Sequence, residues 1–143
     1  MALQPPATAV GVDPPVEATD RTYWESKASK ETLFATDELF TLVREVQPQA
    51  TLKYNKYYIG LEIDGSSRNF VTFIPQKSRV LLTIKLPQGK EVDDQLLEAG
   101  IETLPYEIQW KQYKVRFGSA VNEKQRQALL HLIRQAWEST GKA

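Results

Sequence analysis

The chain has 143 residues, 41% of them hydrophobic and 10% aromatic, which gives room for one domain with a proper core. Lys+Arg and Asp+Glu both number 18, so the chain as a whole has no bulk attraction toward nucleic acid or an anionic membrane, and any such binding must come from local clustering. There is no cysteine, which removes disulfides, thiolate nucleophiles and cysteine-based zinc or iron–sulfur sites together. The longest apolar stretches fall far short of the ~20 residues that span a bilayer, and the start of the chain lacks the basic region and apolar block of a secretion signal. The expectation is a soluble, cytoplasmic protein without membrane contact.

Residues 1–22 carry four of the eight prolines, as Pro5-Pro6 and Pro14-Pro15, among Ala, Val, Thr and acids. That composition cannot offset ordering entropy with buried surface, so it reads as a disordered leader or linker ahead of a single domain over residues 23–140. Such a leader suits a C-terminal domain of a longer parent protein. Tyr23 and Trp24 open the domain, two large rings placed to pack under the first helix.

That helix has Ser29 as N-cap and Glu31 in its first turn, presents Leu33, Leu39, Phe40, Val43 and Val46 at helical spacing, and is stopped by Pro48. Three strands follow. Over 57–63 the odd positions are apolar, and Asp64-Gly65-Ser66-Ser67 makes a turn; 70–75 forms the second strand, Gln76-Lys77-Ser78 turns the chain again, and 80–85 forms the third. The connections are too short for crossovers, so the three form an antiparallel meander. A short helix over 93–99 has acids at its start and Gly100 at the position after its cap, followed by apolar Ile101. Tyr106, Ile108 and Trp110 then alternate at even positions, whereas Tyr113, Val115 and Phe117 alternate at odd ones, a parity switch that requires a tight turn or bulge near Lys111-Gln112. The last helix opens on the capping box Asn122 to Gln125 and aligns Leu129, Leu132, Ile133, Ala136 and Trp137. The predicted fold is a two-layer α+β sandwich: a mostly antiparallel five-stranded sheet, two long helices on one face and one short helix, in the order α-βββ-α-ββ-α.

No catalytic constellation emerges. His131 is the only histidine and has no partner for a metal site. A Gly-x-Ser-x-Gly turn and a glycine-rich phosphate loop are both missing from the sequence. Glu25-Ser26-Lys27 precedes a helix and lacks the rigid strand that would aim both side chains at one metal, Glu62 and Asp64 share a strand end where the hairpin turn is the ordinary home of an Asp-Gly pair, and Asp93-Asp94 is helix N-terminal charge. The sequence thus predicts no catalytic residue, no metal and no cofactor.

A basic and aromatic concentration remains around the sheet. Lys56 and Tyr58 stand at the first strand with Lys53, Tyr54 and Tyr57, Lys77 and Arg79 at the second turn, and Lys114 and Arg116 on the last strand, pointing away from the core residues between them. Setting aside the leader removes three acids and one base, so the folded part is barely positive and the signal is local. Basic side chains that track phosphates beside exposed tyrosines that stack on bases are the physics of single-strand nucleic-acid binding. The plain alternative is that these lysines and arginines solvate an exposed sheet face and guard its edges.

From about Tyr23 onward the chain resembles an uncharacterised bacterial and archaeal family, the domain of unknown function numbered 5655, sometimes labelled a predicted transport protein. The resemblance is carried by Lys56-Tyr57-Tyr58-Ile59-Gly60-Leu61, by the strand and turn Asn69-Phe70-Val71-Thr72-Phe73-Ile74-Pro75-Gln76-Lys77, by Asp93-Asp94, and by the closing Leu132-Ile133-Arg134-Gln135-Ala136-Trp137. It departs at Leu104-Pro105-Tyr106, where the family tends to have a Gly-His-Trp-like segment. The resemblance implies no established activity; it implies a C-terminal appendage of a larger protein, some relatives of which carry nuclease-like or restriction-associated modules. The expected function is therefore a non-catalytic binding module of a nucleic-acid-processing protein, with nucleic acid or another domain of a parent protein as partner. The alternatives are a protein-interaction or dimerisation domain, and a small-molecule-binding domain or enzyme built from Tyr, Lys and acids.

Overall fold

Asp20 starts the first helix. The structure, a computed structural model, describes residues 18–118 and 120–141, so most of the expected leader, through residue 17, lies outside the described residues. Residues 18–22 are tied into the fold: Ala18 bridges Asn55, the Thr19 N–H donates to the Tyr54 carbonyl at 2.9 Å, and the Asp20 carboxylate caps the Tyr23 N–H. Tyr23 and Trp24 consequently sit on a short helix of their own, α1 (Arg21–Lys27), and not on an extended lead-in. Arg21 fastens this helix by a forked contact to Asp37, at 3.2 and 2.8 Å, and a bond to the Tyr54 hydroxyl at 3.0 Å. Those partners hold the guanidinium more firmly protonated than usual, the hydrogen bonds to Asp37 first among the causes. Trp24 is fully buried, and its indole N–H donates to the Asn55 carbonyl at 2.9 Å.

Ser29 caps α2 (Lys30–Val46), with Thr32 completing the capping box, and the helix ends at Gln47 before Pro48. It buries Leu33, Leu39, Leu42 and Val43. The sheet has seven strands, β1 (Thr51–Tyr54), β2 (Ile59–Ile63), β3 (Ser66–Ser67), β4 (Val71–Pro75), β5 (Val80–Ile84), β6 (Glu102–Thr103) and β7 (Tyr113–Phe117), all antiparallel, in the order β1-β2-β4-β5-β7-β6 with β3 beside β2. The predicted meander is β2-β4-β5. Three of the seven strands are additions to the sequence reading, and the predicted strand through Tyr106, Ile108 and Trp110 is not formed. Lys111 takes a left-handed φ of 54° and turns the chain back so that Glu107 and Gln112 exchange backbone bonds at 3.0 and 3.3 Å. The three large side chains therefore alternate in sequence without alternating across a sheet.

Between these elements α3 (Lys90–Glu98) ends in a Schellman motif: Gly100 at φ +71° donates to Leu97, and the Ile101 N–H reaches back to Leu96. The chain closes with α4 (Glu123–Ala136), capped by Asn122 and Gln125, and a wide π turn, Trp137–Gly141, that lays the Trp137 ring 5.2 Å from Phe70. Helices α2 and α4 pack on each other and on β4 and β5. Beneath them Val71, Phe73, Val80, Leu82, Ile84, Tyr113 and Val115 are buried. At about 1.5–3 kcal/mol per fully buried large apolar side chain, this face supplies most of the burial. The opposite face mixes polar groups such as Thr72, Thr83 and Lys114 with the apolar Ile74 and Leu81.

Candidate binding site on the open face of the sheet

Register decides what the open face presents. Thr72 stands opposite Thr83, and Thr83 opposite Lys114, so one residue from each of β4, β5 and β7 falls in a row. Their neighbours on the same side, two residues away, are Ile74 and Lys85. Tyr58, one residue before β2, joins them because Ile59 faces the core opposite Phe73. Together these side chains floor a concave pocket of about 250 Å³. Tyr57 and Trp110 rim it, one two residues ahead of β2 and the other three residues ahead of β7.

Each wall has a cause. Gly60 carries no side chain, and a β-carbon there would meet the Asn69 carboxamide oxygen at 2.4 Å and the Tyr58 ring at 3.1 Å. The empty space lets the Asn69 oxygen accept the Leu61 N–H at 2.8 Å and lets the Tyr58 ring lie across β2, where it is 4% exposed. Across the pocket, segment 104–112 is held down at several points. The Leu104 N–H donates to the Lys114 carbonyl at 2.8 Å, and the Tyr106 hydroxyl donates to the Leu86 carbonyl at 2.6 Å. Burial pushes the Tyr106 phenol above its ordinary pKa, and its ring meets Tyr113 edge-on at 4.8 Å.

So anchored, the segment delivers Glu107 and Trp110. One carboxylate oxygen of Glu107 accepts from the Gln112 amide at 2.6 Å, and the other lies 3.0 Å from the Lys114 ammonium. Both oxygens are thus engaged in fixing two other pocket residues. The Thr72 and Thr83 hydroxyls bond to each other in the floor. In such a pair one proton is used internally, and the second hydroxyl keeps its own proton for a further acceptor. At the other rim the Tyr57 ring, 54% exposed, has the Lys27 ammonium 5.7 Å and the Lys56 ammonium 5.6 Å from its centroid. Two lysines and one glutamate line the pocket, and two more lysines stand beside Tyr57.

The six basic and aromatic residues singled out from the sequence divide into two groups. Tyr58 and Lys114 line the pocket, and Lys56 lies at its rim. Lys77, Arg79 and Arg116 lie outside its lining. Lys77 donates to the Ser26 carbonyl at 2.7 Å, and Arg116 pairs with Glu102 on neighbouring β6, near Arg79. Hydrogen bonding to Arg116 holds the Glu102 carboxyl below its ordinary value and raises the guanidinium in turn. Tyr58 is a buried wall, so the ring open to stacking is Tyr57.

Sequence reasoning passed over Thr72, Thr83, Glu107, Trp110 and Gln112. The two threonines leave one trace, polar residues on the off-core positions of central strands. Segment 104–112 leaves none, because its contacts, from Glu107 to Gln112 and Lys114 and from Tyr106 to Leu86, follow no helix or strand period. His131 is exposed on α4, and among the described residues no group of three or more acids or histidines could hold a metal ion. No described helix is long and apolar enough to cross a membrane. No protein-family model, curated protein or solved structure matches the chain.

Proposed function

We propose that this chain is a non-catalytic binding module, working in the cytoplasm as an accessory domain of a nucleic-acid-processing protein, and that it takes its ligand on the open face of the sheet. Membership of the 5655 family, carried by the strand and turn motifs quoted above, belongs to the same proposal. One observation carries it: a walled pocket sits on the face that no described helix covers, with polar groups fixed at its floor and aromatic rings at both rims. Sites of this make-up bind through apolar contact and are oriented by a few placed polar groups.

The charge pattern narrows the reading. Lys53, Lys114 and Arg116 each have a carboxylate within reach, at Glu62, Glu107 and Glu102. A broad track for phosphates along the sheet is therefore not what these residues build, and binding is concentrated at the pocket.

The reading is tested by following amide and indole signals of the whole chain during addition of nucleotides, short single strands, aromatic acids and short peptides. Perturbations should gather at Thr72, Thr83, Lys85 and the Trp110 indole. Shifts confined to the α2 and α4 surface, or none with any probe, would sink the proposal.

A further inference from the structure

We infer that the pocket is a seat for one nucleotide unit, a planar ring carrying a phosphate; this rests on the open-face reading above and adds to it the chemistry of the ligand. Size sets the first limit. About 250 Å³ lies just below the ~300–1,000 Å³ of pockets that enclose a drug-sized ligand. It admits one ring system with its substituents, and the rest of any longer ligand would lie outside.

Shape and polarity set the second. Tyr57 and Trp110 offer aromatic surface at the rims and Tyr58 along a wall, whereas Ile74 supplies apolar floor; a flat ring gains most from such surroundings. The ring meets mixed polarity at the base. The Thr72–Thr83 pair keeps one hydroxyl proton and spare lone pairs, and Gln112, whose amide N–H is given to Glu107, keeps its carbonyl oxygen. A floor that both donates and accepts suits the edge of a nucleobase, which does the same. It suits a hydrocarbon ring poorly.

Charge sets the third. Glu107 is the acid of the pocket lining, and both of its oxygens are spent on Gln112 and Lys114. By formal charge the lining carries Lys85 and Lys114 against that one glutamate, and Lys27 and Lys56 stand beside Tyr57. An anionic substituent is favoured there, and a cationic one is opposed.

A nucleotide unit reaches the pocket free or as part of a single strand, and titration of the full chain separates the two. The probes are adenosine monophosphate, adenosine, ribose phosphate and a short single-stranded oligothymidylate, read by the Trp110 indole and the Thr72 and Thr83 amides. Adenosine monophosphate should bind, with adenosine and ribose phosphate each weaker by about tenfold or more, the loss of one charge-assisted contact or one stacked ring. Tighter binding of the oligothymidylate, falling steeply with salt, assigns the source to a strand; equal or weaker binding assigns it to the free nucleotide. Trp110→Ala should weaken the nucleotide by about tenfold, with Trp110→Phe recovering part of that loss.

Equal affinity for adenosine monophosphate and ribose phosphate overturns the inference, as does failure of both nucleotide and oligothymidylate to bind at millimolar concentration. If another probe class, such as a peptide, then moves the same open-face signals, the binding-module reading survives and only the nucleotide assignment falls. If nothing moves them, both fall.

Discussion

The two faces of the central sheet are made from the same strands and obey different rules. In β4 the side chains of Val71 and Phe73 are fully buried beneath α2 and α4, while Thr72 and Ile74, which alternate with them, stay partly open. On the helix side, what matters about a residue is that it is apolar and of suitable volume, because its environment is nondirectional packing. On the open side identity matters. Thr72 is useful because register sets it against Thr83, and Glu107 because it reaches both Gln112 and Lys114. Stability is concentrated in the first face, and the proposed binding in the second.

The sharpest break of this contrast is inside one strand. Phe73→Ala removes a ring that is fully buried and meets Phe40 edge-on, and it should cost about 3–5 kcal/mol in urea unfolding. Ile74→Ala, one residue away on the open face, should cost no more than about half of that, since its side chain is only half-buried. Equal losses would mean that the open face is as tightly packed as the core.

A smaller effect is expected where the two faces share a residue. Gly60 belongs to a buried strand, yet the space above it is used by Asn69 and Tyr58 on the open side. Gly60→Ala drives a methyl group to 2.4 Å from an oxygen that is itself held by the Leu61 N–H, so neither partner yields freely. The expected cost is about 1–3 kcal/mol. Ligand binding should weaken along with stability, because the Tyr58 wall moves. An alanine variant as stable as the parent would show that Asn69 has another place to go.

The same division governs how much was legible in the sequence. The helix-covered face was read well: Ser29 and Pro48 bracket α2, the Asn122–Gln125 box opens α4, and Gly100 followed by Ile101 closes α3. Caps and apolar periodicity are local signals, and local signals survive folding. The meander was legible for the same reason. On the open face the sequence yielded Lys56 and Tyr58 ahead of β2 and, from the off-core alternation of β7, Lys114 and Arg116. Their acid partners come from segments seven and fourteen residues earlier, Glu107 and Glu102, and nothing in the spacing announces either. Trp110 misled outright. Its even-position alternation with Tyr106 and Ile108 mimics a strand, but Tyr106 is anchored to Leu86, Ile108 is 76% exposed at a turn, and Trp110 rims the pocket. A positive φ at Lys111, a residue with no special tolerance for it, is what separates the two outcomes.

Tyr113 gives the smallest effect and the one with a pH signature. It lies on the core side of β7, 2% exposed, and ties α3 to the sheet: its hydroxyl accepts the Gly89 N–H at 2.9 Å and donates to the Asp93 carboxylate at 2.8 Å. Burial pushes its pKa up to about 12, and the bond to Asp93 adds to the rise. The folded state therefore binds the phenolic proton more tightly than the unfolded chain, where the pKa is about 10. The resulting stabilisation is complete below about pH 10 and is lost as pH rises through about 12. Tyr113→Phe should cost about 1 kcal/mol at neutral pH through the lost hydrogen bonds, and it should flatten the alkaline decline in the urea midpoint. Some decline should remain, because Tyr106 is shifted in the same direction by its own burial; adding Tyr106→Phe should remove more of it. An unchanged alkaline slope in the Tyr113→Phe variant would mean that this hydroxyl is already reached by solvent, and that the junction between α3 and the sheet is looser than its bond lengths imply.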